Sequence, residues 1–326
     1  MTEQQTRTMP TVDVVVPCYR YGHYLRDCVG SLLTQTSCEV RVLVIDDASP
    51  DDSAEVARQI AAEDPRVEVI VHTTNRGHIA TYNEGIAWSS SKYFLLLSAD
   101  DLLVPGALGR AVAIMEAHPE VSWTYGREIL LQEGETLEEA YASQGFRPDA
   151  TPAFRVMSGE TFITRLCTSG INEVATCTAV VRGDAQRQVG GYRAELPHAG
   201  DLEMWLRLSS EGAVGEVDGF QGVRRLHASN MINDFLGVRD LKQREEAYES
   251  FFATAGRALP ATPRWRRQLR RTLAHQAARW GIGGLRRGQF RYGMGCLALA
   301  FRVDPAAAAR APMDYLERLP GFGPRR

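Results

Sequence analysis

The chain has 326 residues, 44% hydrophobic and 24% charged, with a formal net charge of −3. That composition supplies a sizeable core and excludes a disordered or fibrous chain. The first ten residues lack the apolar centre of a secretory signal, and no stretch approaches the roughly 18 apolar residues of a membrane span, so a cytoplasmic location is expected. Six cysteines (Cys18, Cys28, Cys38, Cys167, Cys177 and Cys296) never fall at zinc-knuckle or redox-motif spacing and read as buried reduced thiols. Charge is unevenly spread: residues 257–326 carry 15 Arg and no Lys against three acids.

Residues 12–16 form an apolar run stopped by Pro17, which predicts a buried strand. Leu25, Cys28, Val29, Leu32 and Leu33 then recur at helical spacing, and residues 40–45 read as the next strand, closed by Asp46 and Asp47. A helix over 51–62, a strand over 67–71, a helix over 79–88 and a strand over 93–97 repeat the rhythm. This alternation predicts an α/β fold with a parallel, doubly wound sheet. A helix over 105–118 and a strand over 121–125 follow, after which residues 128–157 show no sustained period and read as an insertion lining a substrate site. Residues 176–181 restore a strand, Gly190 and Gly191 mark a turn, and Leu202, Trp205, Leu206 and Leu208 define a helix beginning near Asp201. From residue 240 only helices are expected, punctuated by Pro260, Pro263, the 281–284 glycine stretch and Pro305, as a helical appendage of two to four elements.

Two strand-like runs thus end in paired carboxylates, Asp46–Asp47 and Asp100–Asp101. At the carboxyl ends of parallel strands such groups converge on the crevice where open α/β sheets bind ligands, and hard oxygen donors there suit Mg²⁺ or Mn²⁺ carrying phosphates. The expected chemistry is metal-assisted and involves a nucleotide.

In this order, VVVPCYRYGHYLRDCVGSLL, VLVIDDASPDD, NRGHIATYNEGI, LSADDLL, GDLEMWLRL and RRLHASNM resemble a family 2 glycosyltransferase of GT-A fold over residues 11–231. The resemblance implies a GT-A nucleotide-binding domain over 1–236, with its donor half near 11–127 and its acceptor half near 128–236. An arginine-rich helical C-terminal region over 237–326 completes the chain. It also implies an inverting, metal-dependent transfer of sugar from a nucleotide-diphosphate donor, a UDP-sugar first, to an acceptor hydroxyl. Asp101 matches the family's direct metal ligand and His227 a further one, so the cofactor is Mn²⁺ or Mg²⁺, the imidazole favouring Mn²⁺. Asp100 matches the position facing the donor's ribose or sugar, Asp47 the residue that recognises the nucleobase, and Tyr19, after Pro17, one that packs against it. Arg76 and Gly77 lie where the family brings a loop near the donor. Asp201 matches the general base, although Gly200 stands where many relatives carry an acid, which weakens any role of that first position. Glu203 is the fallback base.

Blander readings accompany these: a helix N-cap for Asp100–Asp101 or for Asp201, a turn for Asp47, edge packing for Tyr19. A sugar-1-phosphate nucleotidylyltransferase would favour a Gly-rich basic loop where this chain has Pro17, Cys18, Tyr19 and Arg20. A non-catalytic sugar-nucleotide or membrane-docking module on the same fold is the rival from another class. The expected partners are the nucleotide-sugar donor and a hydroxyl-bearing acceptor of surface polysaccharide, glycolipid or secondary-metabolite type, with no nucleic acid. The basic C-terminal helices fit peripheral contact with the inner face of the membrane, pairing of two chains, or a solvated surface.

Overall fold

The computed structural model describes residues 9–148, 150–230 and 235–310. The chain falls into two compact units, the first comprising residues 1–159, 174–197 and 211–228, and the second 160–173, 198–210 and 229–326.

The first unit begins with the expected alternation: β1 (Thr11–Cys18), α1 (Gly22–Leu33), β2 (Glu39–Asp46), α2 (Ser53–Glu63), β3 (Val67–Val71), α3 (His78–Trp88) and β4 (Tyr93–Leu96). Then come β5 (Leu102–Leu103), α4 (Ala107–Ala117), β6 (Val121–Gln132), α5 (Leu137–Ser143), β7 (Phe154–Met157), β8 (Val180–Arg182), α7 (Gly183–Val189) and β9 (Ala213–Leu226), with α6 (Gly159–Ser169) intervening in sequence. The sheet order is β3-β2-β1-β4-β8-β6-β9-β5, with β7 added along β9. β3, β2, β1 and β4 run parallel, as do β6 and β9, while β4–β8, β6–β8, β5–β9 and β7–β9 are antiparallel. Most of the paired length is therefore parallel, and chain order reverses between β1 and β4, the switch point at which such sheets open a ligand crevice.

β1 is buried on both faces, which is why it reads as a near-continuous valine run. Its one charge, Asp13, is also buried. Its Oδ2 accepts the Ser90 and Ser91 backbone N–H groups at 2.7 and 2.8 Å, and its Oδ1 accepts the Ser91 hydroxyl at 2.7 Å. A buried carboxylate so satisfied fastens the turn between α3 and β4 instead of destabilising the strand.

Several expectations are corrected. β1 does not stop at Pro17 but runs through it to Cys18 in register with β2. The carbonyls of Val15 and Pro17 accept Leu97 N–H and Ala99 N–H, so the chain after β4 stays beside β1, and the β1–β4 pairing ends at Leu96 where Pro17 has no N–H to offer. Residues 128–157 are not a structureless insertion. β6 extends to Gln132, and α5 starts with a capping box in which Thr136 Oγ1 accepts Glu139 N–H while the Glu139 carboxylate accepts Thr136 N–H. The motif Thr-x-x-Glu was legible there. The strand expected over 176–181 splits into a 3₁₀ turn at Thr176–Thr178 and the shorter β8.

The second unit is helical: most of α6, then α8 (Gly200–Glu211), α9 (Val238–Ala253), α10 (Thr262–Arg286) and α11 (Phe290–Val303), with a 3₁₀ turn at Ala255–Ala258. Buried Tyr248 of α9 donates its hydroxyl to Leu166 O of α6 at 2.6 Å, and Trp265 of α10 donates Nε1–H to Thr164 Oγ1 at 2.8 Å. The 281–284 stretch does not break a helix, because it lies inside α10. A Cβ on Gly281 would stand 2.7 Å from Leu297 and 2.9 Å from Gly293 O, so glycine here lets α10 and α11 pack backbone to backbone. Pro263 likewise sits in the first turn of α10, where its missing N–H costs nothing.

Candidate active site

Antiparallel pairing of Leu102 with Val223 brings the end of β9 to the two carboxylates that precede β5. His227 Nε2 lies 3.1 Å from Asp100 Oδ2, and Arg225 N–H donates to Asp101 Oδ1 at 3.3 Å. The His227 ring stands edge-on to Tyr21 with centroids 5.4 Å apart, and Tyr24 lies 5.6 Å away. Burial, and then the charges of Asp100 and Asp101, push the Tyr21 phenol well above its ordinary value. Neither neighbouring arginine stands idle. Arg224 grips Glu128 with two hydrogen bonds at 2.6 and 2.9 Å, while Arg225 pairs with Asp27 at 2.8 Å and lies over the Tyr24 ring.

Burial pushes the Asp101 carboxyl well above the usual carboxylate range, and the adjacent Asp100 adds to it. Arg225 N–H and the Arg224 charge offset only part of this. Two carboxylates so placed repel each other when ionised, and a divalent cation would relieve that. The donor set fits one, with hard oxygens from Asp100 and Asp101 and an imidazole nitrogen from His227. Among the described residues no group of three His, Cys, Asp or Glu encloses an ion by itself. That suits an ion held by one or two carboxylates and completed by phosphate oxygens and water.

A second cluster forms at the end of β2. Buried Asp47 accepts Arg76 N–H at 2.8 Å and Gly77 N–H at 2.9 Å, and its Oδ1 lies 2.7 Å from His72 Nδ1. The other ring nitrogen of His72 lies 2.8 Å from Glu84, which also pairs with the Arg76 guanidinium at 3.1 Å. Burial pushes Asp47 up, but the hydrogen bonds from His72, Arg76 and Gly77 overrule it and hold the carboxylate below its ordinary range. Gly77 has φ 83° and ψ 153°, a conformation essentially restricted to glycine, so its place in this loop is a backbone requirement. His72 and Glu84 escaped the sequence reading, and no local pattern marked them.

Between these clusters lies the end of β1. Tyr19 follows Pro17 and Cys18 with 43% of its surface exposed, an aromatic face available for stacking. Arg20 (φ 67°) and Ala48 (φ 56°), at the ends of β1 and β2, are the described non-glycine residues with left-handed backbone. Arg20 N–H donates to Ser49 Oγ at 3.0 Å, tying the two tips together. Such backbone costs about 1–2 kcal/mol per residue, and it is concentrated where the crevice opens.

Asp201 belongs to the second unit, in the first turn of α8, and is partly exposed. Glu203, the fallback base, is fully buried and bonded to Arg207 Nε at 2.8 Å one helical turn on. That ion pair removes it from consideration as a base. Trp205 is buried and fills core. His198 stacks on Phe235 at 4.4 Å and lies 3.3 Å from Asp240.

Residues 13–174 match the family described as Glycosyl transferase family 2. The chain belongs to glycosyl transferase family 2. The matched stretch contains Asp47, Arg76, Gly77, Asp100 and Asp101, while Asp201 and His227 lie beyond it. This family 2 chain is 32% identical over 201 residues to the uncharacterized protein y4gI of Sinorhizobium fredii, covering 61% of this chain and 20% of that protein. It spans only 20% to 41% of the length of three curated relatives. The crystal structure of S. aureus TarS 1-349 in complex with UDP-GlcNAc superposes with TM-score 0.57 at 13% identity, over 93% of this chain and 92% of that one. The mannosyltransferase PcManGT of Pyrobaculum calidifontis, in complex with GDP-Man and Mn²⁺, gives TM-score 0.56 at 15% identity, over 94% and 88%. The fold is accordingly the GT-A nucleotide-binding fold.

Proposed function

We propose that the protein is an inverting, metal-dependent glycosyltransferase that moves a sugar from a nucleoside-diphosphate donor to an acceptor hydroxyl. The observation that carries this reading is the convergence of Asp100, Asp101 and His227 at the switch point of the sheet. Cleaving a sugar nucleotide leaves negative charge on the diphosphate. A divalent ion bound there, Mn²⁺ first, would neutralise it without a proton donor. Asp101 and His227 would hold that ion together with phosphate oxygens and water, while Asp100 would face the donor's ribose or sugar. Tyr19, behind Pro17, would stack on the nucleobase, and Asp47 would keep the Arg76–Gly77 loop closed beside it and offer its remaining acceptor capacity to the base. Asp201 would remove the acceptor proton as the hydroxyl attacks the anomeric carbon from the face opposite the diphosphate, which inverts that carbon.

A UDP-sugar is the first donor to test, since TarS was solved with UDP-GlcNAc, and a GDP-sugar the second, since PcManGT was solved with GDP-Man. The acceptor class we favour is a glycan of surface polysaccharide or glycolipid type. Calorimetric titration of UDP, GDP and dTDP, with Mn²⁺ and with chelator, tests the site directly. Metal-dependent binding of one nucleotide is expected, and binding of none would return the chain to a non-catalytic module. Asp201→Asn should keep that binding and lower turnover by about 10²-fold or more, and unchanged turnover would remove Asp201 from the mechanism.

A further inference from the structure

α11 is buried along one face by Gly293, Cys296, Leu299, Ala300 and Val303. Its opposite face would be polar in an ordinary surface helix, yet Phe290, Met294 and Phe301 stand 68%, 58% and 51% exposed. At 100° per residue these three fall within about 40° of one another. They form a continuous apolar stripe, of a kind that marks an interaction surface. Its surroundings are cationic: Arg286 and Arg287 at the end of α10, and Arg291 one residue beyond Phe290, are exposed. Across residues 257–310 the sequence has twelve arginines against one acid, Asp304, and of these Arg302 pairs with Glu245 and Arg266 with Glu249 of α9.

We propose that the outer face of α11 seats this unit on an anionic lipid bilayer. Phe290, Met294 and Phe301 enter the boundary between headgroups and acyl chains, and Arg287 and Arg291 meet lipid phosphates. Charge selects this occupant over a second copy of the chain, because a symmetric pairing through the stripe would bring two arginine rims together. The helix lies on the membrane and does not cross it: among the described residues no helix is long and apolar enough to span one. The proposal is independent of the donor site, so it is read by vesicle binding and not by turnover.

The test is co-sedimentation of the full chain with phosphatidylcholine vesicles and with vesicles containing phosphatidylglycerol. Binding to the anionic vesicles is expected, weaker by about tenfold or more on neutral ones and in high salt. The combined substitution Phe290→Ser, Met294→Ser and Phe301→Ser should abolish it without changing thermal unfolding, since all three side chains are exposed. Arg287→Glu with Arg291→Glu should abolish preference for the anionic lipid. Phe290→Trp gives a reading that needs no disruption: its emission should shift to the blue on anionic vesicles and be quenched by brominated acyl chains. Absence of vesicle binding, equal binding to neutral and anionic lipid, retention by the triple variant, or a dimer that the triple variant dissociates would each overturn the proposal.

Discussion

Asp47 and Asp101 are chemically alike and electrostatically opposite. At Asp101, burial and a neighbouring carboxylate raise the folded-state pKa, so the folded protein binds more protons than the unfolded chain and loses stability as pH rises from the ordinary carboxylate range through the folded value. Asp101→Asn removes that penalty. In metal-free buffer the variant should gain melting temperature over the wild type increasingly as pH rises, and it should lack the Mn²⁺-dependent stabilisation expected of the wild type under the proposed function. At Asp47 the sign reverses: the depressed folded-state pKa contributes stability that is present above the ordinary range and lost as pH falls through the folded value. Asp47→Ala leaves His72 Nδ1 and the Arg76 backbone N–H without their partner, while Gly77 N–H keeps Asn75 Oδ1, at about 1–3 kcal/mol for each group left buried and unsatisfied. Denaturant unfolding at neutral pH should register that loss, and the difference from wild type should shrink in acid.

At the scale of elements, α5 is a seven-residue helix whose capping box offsets its shortness. Thr136→Ala should cost about 1 kcal/mol in global unfolding or in local hydrogen-exchange protection of α5. The α10–α11 hairpin depends on glycine for the opposite reason, since each glycine costs about 1 kcal/mol of helix propensity against alanine and recovers it by allowing close packing. Gly281→Leu would drive a side chain into Leu297 and the Gly293 carbonyl. A drop in melting temperature with α-helical content retained is expected, by circular dichroism. Glycines spaced along a chain look alike whether they end a helix or admit a partner helix, and that is why residues 281–284 read as a break.

The molecule as a whole is assembled from non-contiguous stretches, since the second unit takes residues 160–173 and 198–210 before its C-terminal helices. A chain cut after residue 236 would remove the hydroxyl of Tyr248 from Leu166 and the indole of Trp265 from Thr164. Such a chain should lose the cooperative unfolding transition of the full protein, monitored by circular dichroism. Sequence alone determined the βα alternation through β4, the two carboxylate pairs and the helical character of the described residues from Val238 to Val303, because each is written in the periodicity or ends of a contiguous segment. Resemblance brought His227 forward, but its meeting with Asp100, 127 residues away, follows from the β5–β9 register. The extended β6, the unannounced β9, and the hydrogen-bonded chain from Asp47 through His72 to Glu84 were equally invisible in the one-dimensional pattern. Their hydrogen bonds and packing partners come from segments far apart in the chain, and only the tertiary structure sets which of those segments meet.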